Sequence, residues 1–155
     1  MEITLEYLRR YSVEGFYNSR NPQVQTLRYM TDEINKVIDT TRIKVVYPKN
    51  LFIDNKQIEI YLFDDKEHIL KITYENKEVS IRLYFLKDIT RLKNSVNYEK
   101  ESRSLTIEFS NGEIFEFNST SDTNSYHMHR FDDLILDILK LSLRYEMPNK
   151  KNELL

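Results

Sequence analysis

The hydrophobic pattern changes period twice along the 155-residue chain. It is helical at the start, alternating from Ile43 to Phe117, and helical again to the end. In the first part, Leu5, Leu8 and Tyr11 fall on one side of a short helix over 3–11, and a break is expected at Gly15-Phe16-Tyr17-Asn18. Asn21-Pro22 supplies an N-cap and a proline at the first helical position. The stripe Val24, Leu27, Met30, Ile34, Val37 and Ile38 follows, giving a helical pair. In the last part, Met128, Phe131, Leu134, Ile135, Ile138, Leu141 and Tyr145 recur at three-and-four spacing, with Asp133, Asp137, Lys140 and Arg144 on the other side.

The alternating middle reads as about seven antiparallel strands. Ile43 to Tyr47 stops at Pro48, Leu51-Phe52-Ile53 stops at Asp54-Asn55, and Ile58, Ile60 and Leu62 alternate up to Asp64-Asp65. A four-residue loop, Glu75-Asn76-Lys77-Glu78, sets Tyr74 opposite Val79, Ile72 opposite Ile81 and Leu70 opposite Leu83. Asp88 to Leu92 and a segment near Val96 to Tyr98 come next. The last hairpin turns at Ser110-Asn111-Gly112. A two-residue loop would mix Ile107 with Glu116, whereas a three-residue loop with Gly112 in a left-handed bulge pairs Ile107 with Phe115 and Leu105 with Phe117. The polar connector 118–125 carries turn and capping residues into the terminal helix.

This order of elements, with Phe85 to Leu92, the hairpin Leu105 to Phe117 and a carboxy-terminal helix, resembles a bacterial pleckstrin-homology-like domain over residues 42–147. The resemblance implies an α+β fold in which an antiparallel, partly open β-barrel or strongly bent sheet is capped by the terminal helix. Residues 1–41 would be an amino-terminal helical extension and 148–155 a flexible tail. The family carries no catalytic signature, so the resemblance implies no enzyme.

Charge and composition narrow the partners. A formal net charge of -2 argues against an electrostatically driven binder of nucleic acid or anionic membrane. The chain has no cysteine, which removes thiol chemistry and thiolate metal sites. Its amino terminus lacks a basic start followed by an apolar run, and a cytoplasmic location is the expectation. The two glycines, Gly15 and Gly112, are too few for a phosphate-cradling loop. His127, His129, Asp132 and Asp133 form the nearest approach to a metal set, but the two histidines point to different helix faces. No metal, cofactor or catalytic residue is assigned.

Two surface features remain. Lys87, Arg91, Lys93, Lys100 and Arg103 make a basic run that reads either as a contact for a phosphate, lipid or nucleic acid, or as a solvated face balanced by Glu99 and Glu101. Among 11 tyrosines, Tyr61 and Tyr84 fall on faces that the alternation marks as outward. They are candidate interface anchors unless the amino-terminal helices cover them. A binding or scaffolding domain that engages a protein partner is the expected function, with a small immunity-type or anti-defence inhibitor of an enzyme as the alternative. The helical stripes must be buried by the same chain or by a second copy, which would make a homo-oligomer.

Overall fold

The computed structural model describes residues 2–18 and 22–153, with side chains over 2–14 and 22–144. The fold is α+β. Two helices, α1 (Leu5–Asn18) and α2 (Pro22–Val37), precede seven strands, and a long helix, α3 (Met128–Glu153), closes the chain. The strands are β1 (Ile43–Lys49), β2 (Glu59–Asp64), β3 (His68–Glu75), β4 (Glu78–Phe85), β5 (Ile89–Asn97), β6 (Ser102–Phe109) and β7 (Ile114–Asn118). They form two antiparallel sheets, ordered β1-β2-β3-β4 and β5-β6-β7, which stay open and do not close into a barrel. No helix among the described residues is long and apolar enough to cross a membrane.

Both expected hairpin registers occur. Tyr74 pairs with Val79, Ile72 with Ile81 and Leu70 with Leu83, across a turn whose Asn76 and Lys77 both take positive φ. Those two angles, with Glu75 paired to Glu78, make it a two-residue type I′ turn in place of the expected four-residue loop, and its twist matches the strands. At the other hairpin Ile107 pairs with Phe115 and Leu105 with Phe117. Gly112 has φ 90° there, and Phe109 N–H donates to the Glu113 carbonyl across the bulge. All four apolar side chains of that hairpin are buried.

The centre of the four-stranded sheet is buried on both faces, while β4 is largely exposed. Tyr47, Tyr61, Phe63, Ile69 and Tyr84 share one face and pack on Phe109, Phe115 and Phe117 of the second sheet. Ile60, Leu62 and Ile72 share the other, where Leu27, Met30 and Ile34 of α2 are fully buried and Tyr29 stacks on Tyr74. The stripes of the helical pair therefore join this chain's own core. α3 covers the second sheet with Phe131, Ile135 and Ile138, all fully buried, and Phe131 meets Tyr47 edge-on.

Several boundaries differ from the sequence reading. α1 continues through Gly15 to Asn18, because a glycine costs a helix about 1 kcal/mol and does not by itself end one. Its start is fixed by Thr4, whose Oγ1 accepts from Tyr7 N–H, with buried Ile3 and Leu8 at the positions of a hydrophobic staple. Asn21 lies outside the described residues, while Pro22 opens α2 as expected. Leu51-Phe52-Ile53 is a turn instead of a strand. The segments Asp88 to Leu92 and Val96 to Tyr98 merge into the single strand β5, leaving Tyr98 in the following turn. α3 runs on to Glu153, so helix replaces the expected tail over 148–153, and residues 154–155 lie outside the description.

Candidate functional site

The turn after β1 concentrates positive-φ backbone. Asn50, Phe52 and Asn55 all have positive φ, at 72°, 69° and 64°. Asparagine tolerates that region, but a bulky residue such as phenylalanine adopts it at a cost of about 1–3 kcal/mol. Phe52 is held there from three sides. Gln23 of α2 accepts from Phe52 N–H at 2.9 Å and donates to the Asn50 carbonyl at 2.8 Å. Asn50 N–H donates to the Asp122 carbonyl, and Thr123 Oγ1 donates to the Leu51 carbonyl. Leu51 is fully buried and anchors the turn from below.

Asp122 ties the same region together from inside. Its carboxylate accepts from Tyr47 Oη at 2.6 Å and from Asn118 N–H at 2.8 Å, with Lys49 Nζ at 3.9 Å. Burial raises the Asp122 pKa, and Lys49, Tyr47 and Asn118 pull it back in part. The Tyr47 hydroxyl is pushed well above the usual phenol value, by burial first and by Asp122 second, so it stays a donor.

This scaffold presents a continuous row of rings. Tyr7 and Tyr11 stack along α1 with centroids 6.5 Å apart, and Tyr11 meets Phe52 edge-on at 5.3 Å. Phe52 stacks on His127 at 4.4 Å, and Tyr126 meets His127 edge-on at 5.0 Å. Tyr7, Tyr11, Phe52 and His127 are half-buried, while Tyr126 is 87% exposed. Burial of Tyr7 and Tyr11 raises both pKa values. His127 N–H donates to Asn124 Oδ1, and His127 Nδ1 lies 2.9 Å from that same oxygen. An amide oxygen only accepts, so Nδ1 carries the proton and Nε2 of the neutral ring is an acceptor. Burial, then the nearby Arg130 charge, lowers the His127 pKa and favours that neutral form. Arg130 Nη1 is buried with no hydrogen-bond partner.

The residues singled out from sequence are placed elsewhere. Tyr61 and Tyr84 are 2% and 7% exposed, so the expectation that they face outward is corrected. Nor do the amino-terminal helices cover them, since those helices lie on the opposite face. Tyr61 Oη donates to Glu59, and its ring packs between Phe115 and Phe117. Among the described residues the exposed tyrosines are Tyr29, Tyr98 and Tyr126.

The basic run does not converge. Arg103 turns inward to Asp132 and Asn94, whereas Arg91 and Lys93 lie on the outer face, Arg91 beside Glu108. Lys87 sits over Phe85 before β5 and Lys100 in the turn after it, at opposite ends of that strand. Among the described residues no three histidine, aspartate or glutamate side chains gather as metal ligands, and His129 is exposed apart from His127.

Two open antiparallel sheets with a closing helix and a helical pair on the larger sheet define the structural class. Residues 10–133 match a family described as a protein of unknown function, DUF3908, and the chain belongs to that family. Comparison with curated proteins and with solved structures gave no match.

Proposed function

We propose that this chain is a non-enzymatic binding domain that engages a protein partner through the aromatic row from Tyr7 to Tyr126. The observation that carries the proposal is Phe52, a strained aromatic side chain held at the surface between Tyr11 and His127. A fold spends such strain where the side chain's position is needed. Rigid rings supply contact area at low entropic cost, and Arg130 beside them offers a guanidinium, so the row has the composition of an interface hot spot. The sequence of a four-stranded sheet, a three-stranded sheet and a carboxy-terminal helix supports a pleckstrin-homology-like reading, a scaffold suited to binding.

A protein partner is favoured over a phosphate, lipid or nucleic acid because the cations are dispersed and Arg103 is committed to Asp132. An immunity-type or anti-defence inhibitor is a special case, in which the partner is an enzyme. The test uses two tyrosines of equal exposure. Tyr126→Ala should abolish recovery of a partner retained by the natural chain, and Tyr98→Ala, at an isolated turn, should leave it intact. Equal loss or equal retention in the two variants defeats the proposal, as does retention of anionic vesicles or single-stranded nucleic acid at physiological salt.

A further inference from the structure

We propose that β4 is a self-association edge, through which two copies of the chain join their four-stranded sheets into one. The two open sheets expose four edges, β1, β4, β5 and β7. An unprotected edge is a template for pairing, and folds usually blunt it. Three of the four are blunted. β1 carries Pro48 and an irregularity between Ile43 and Val45. β7 has five residues, and Lys49 Nζ donates to its Glu116 carbonyl. β5 has an irregularity between Ile89 and Arg91, and antiparallel self-pairing about Leu92 would set Arg91 against Lys93. β4 has eight residues, no proline, no bulge and no cap.

The hairpin geometry says which groups β4 offers. In a two-residue type I′ hairpin the residues flanking the turn, Glu75 and Glu78, form a hydrogen-bonded pair. Glu78, Ser80, Arg82 and Tyr84 then direct their backbone groups to β3. Val79, Ile81 and Leu83 direct theirs outward, and among the described residues no backbone partner meets them. Their side chains share the α2 face of the sheet, where Leu83 is 53% exposed and Val79 and Ile81 are half-buried.

This edge is complementary to itself. An antiparallel pairing about a twofold axis at Ile81 sets Ile81 opposite the partner's Ile81 and Val79 opposite the partner's Leu83, so every outward N–H and C=O of these residues finds a mate. Ser80 falls opposite the partner's Arg82, with Glu78 on the diagonal from that same arginine, within reach of a long side chain. Apolar meets apolar on one face and opposite charges meet on the other. A strand-to-strand contact of this size falls below about 1,200 Å², the weak class of interface, so the dimer should dissociate in the micromolar range.

Sedimentation velocity of the full chain over a concentration series tests the idea. The natural chain should show a monomer–dimer equilibrium, and Leu83→Lys, at a side chain already half exposed, should raise the dimer Kd by at least about tenfold while leaving the melting curve in place. Ile81→Pro removes an outward donor and should do the same, with Leu83→Lys deciding the matter if the proline variant fails to fold. Arg82→Glu should weaken the dimer and Glu78→Arg with Arg82→Glu should restore it. A chain that stays monomeric throughout the series, or a dimer indifferent to Leu83→Lys, overturns the proposal.

Discussion

Tyr47→Phe isolates the contact that ties the sheet to the connector beneath the aromatic row. The substitution keeps the ring, which is fully buried against Phe117 and Phe131, and removes only the hydroxyl that donates to Asp122 at 2.6 Å. A hydrogen bond to a charged acceptor contributes about 1.5–3 kcal/mol, and Asp122 keeps Asn118 N–H and Lys49, so the loss should be about 2 kcal/mol. For a chain of this length that corresponds to a fall in Tm of about 4–8 °C. The loss should also depend on pH. Burial raises the Asp122 pKa, so this carboxyl by itself favours the fold below the ordinary carboxylate pKa, and that contribution is lost as pH rises through the folded value. The Tyr47 hydroxyl offsets part of that loss by bonding the ionised form. Its removal therefore costs most above the raised pKa, and the difference between the two proteins should shrink toward about 1 kcal/mol as Asp122 protonates. Paired thermal melts at neutral and mildly acid pH measure both effects. A difference in Tm below about 1 °C at neutral pH, or one that grows on acidification, would refute the reasoning.

Ile135→Asp places a carboxylate at a fully buried position of α3 and should cost more than about 4 kcal/mol, seen as loss of the cooperative melt; a variant that melts near the natural temperature would show that α3 does not close the second sheet. Alkaline unfolding is expected too. Burial raises the phenols of Tyr47, Tyr61, Tyr84, Tyr7 and Tyr11, so the stability that they contribute is complete below about pH 10 and is lost as pH rises through their folded values. Tyrosinate absorbance should therefore appear together with loss of circular dichroism, and a full titration that leaves the fold intact would contradict the burial of these rings.

Registers were legible in the sequence because one face of each hairpin is apolar: matching those faces pairs Ile72 with Ile81 and, with Gly112 in a left-handed bulge, Ile107 with Phe115. The amphipathic helices were legible for the same reason. Tyr61 misled because β2 is apolar at both parities, Ile60 and Leu62 on one side and Tyr61 and Phe63 on the other, whereas Tyr84 shares its parity with the polar Ser80 and Arg82 and is covered at its end of β4 by Phe109 and Phe115 of the second sheet. Alternation says which side chains share a face, but a run apolar on both parities marks a strand covered twice. Read that way, Glu59 to Asp64 would have placed Tyr61 in the core and demanded a cover for each face. The aromatic row was harder to see. Tyr11, Phe52 and His127 are far apart in sequence, and the turn at Phe52 is imposed by Gln23, Asp122 and Thr123, so only tertiary contacts bring the rings together.

Tyrosine nitration mapped by mass spectrometry, with and without a captured partner, tests the central claim most directly. In the free chain Tyr126 and Tyr98 should react fast while Tyr47 and Tyr61 are spared, and in the complex Tyr126 should become protected while Tyr98 does not. Rapid nitration of Tyr61 in the folded chain, or protection of Tyr98 with Tyr126 still reactive in the complex, would contradict the account.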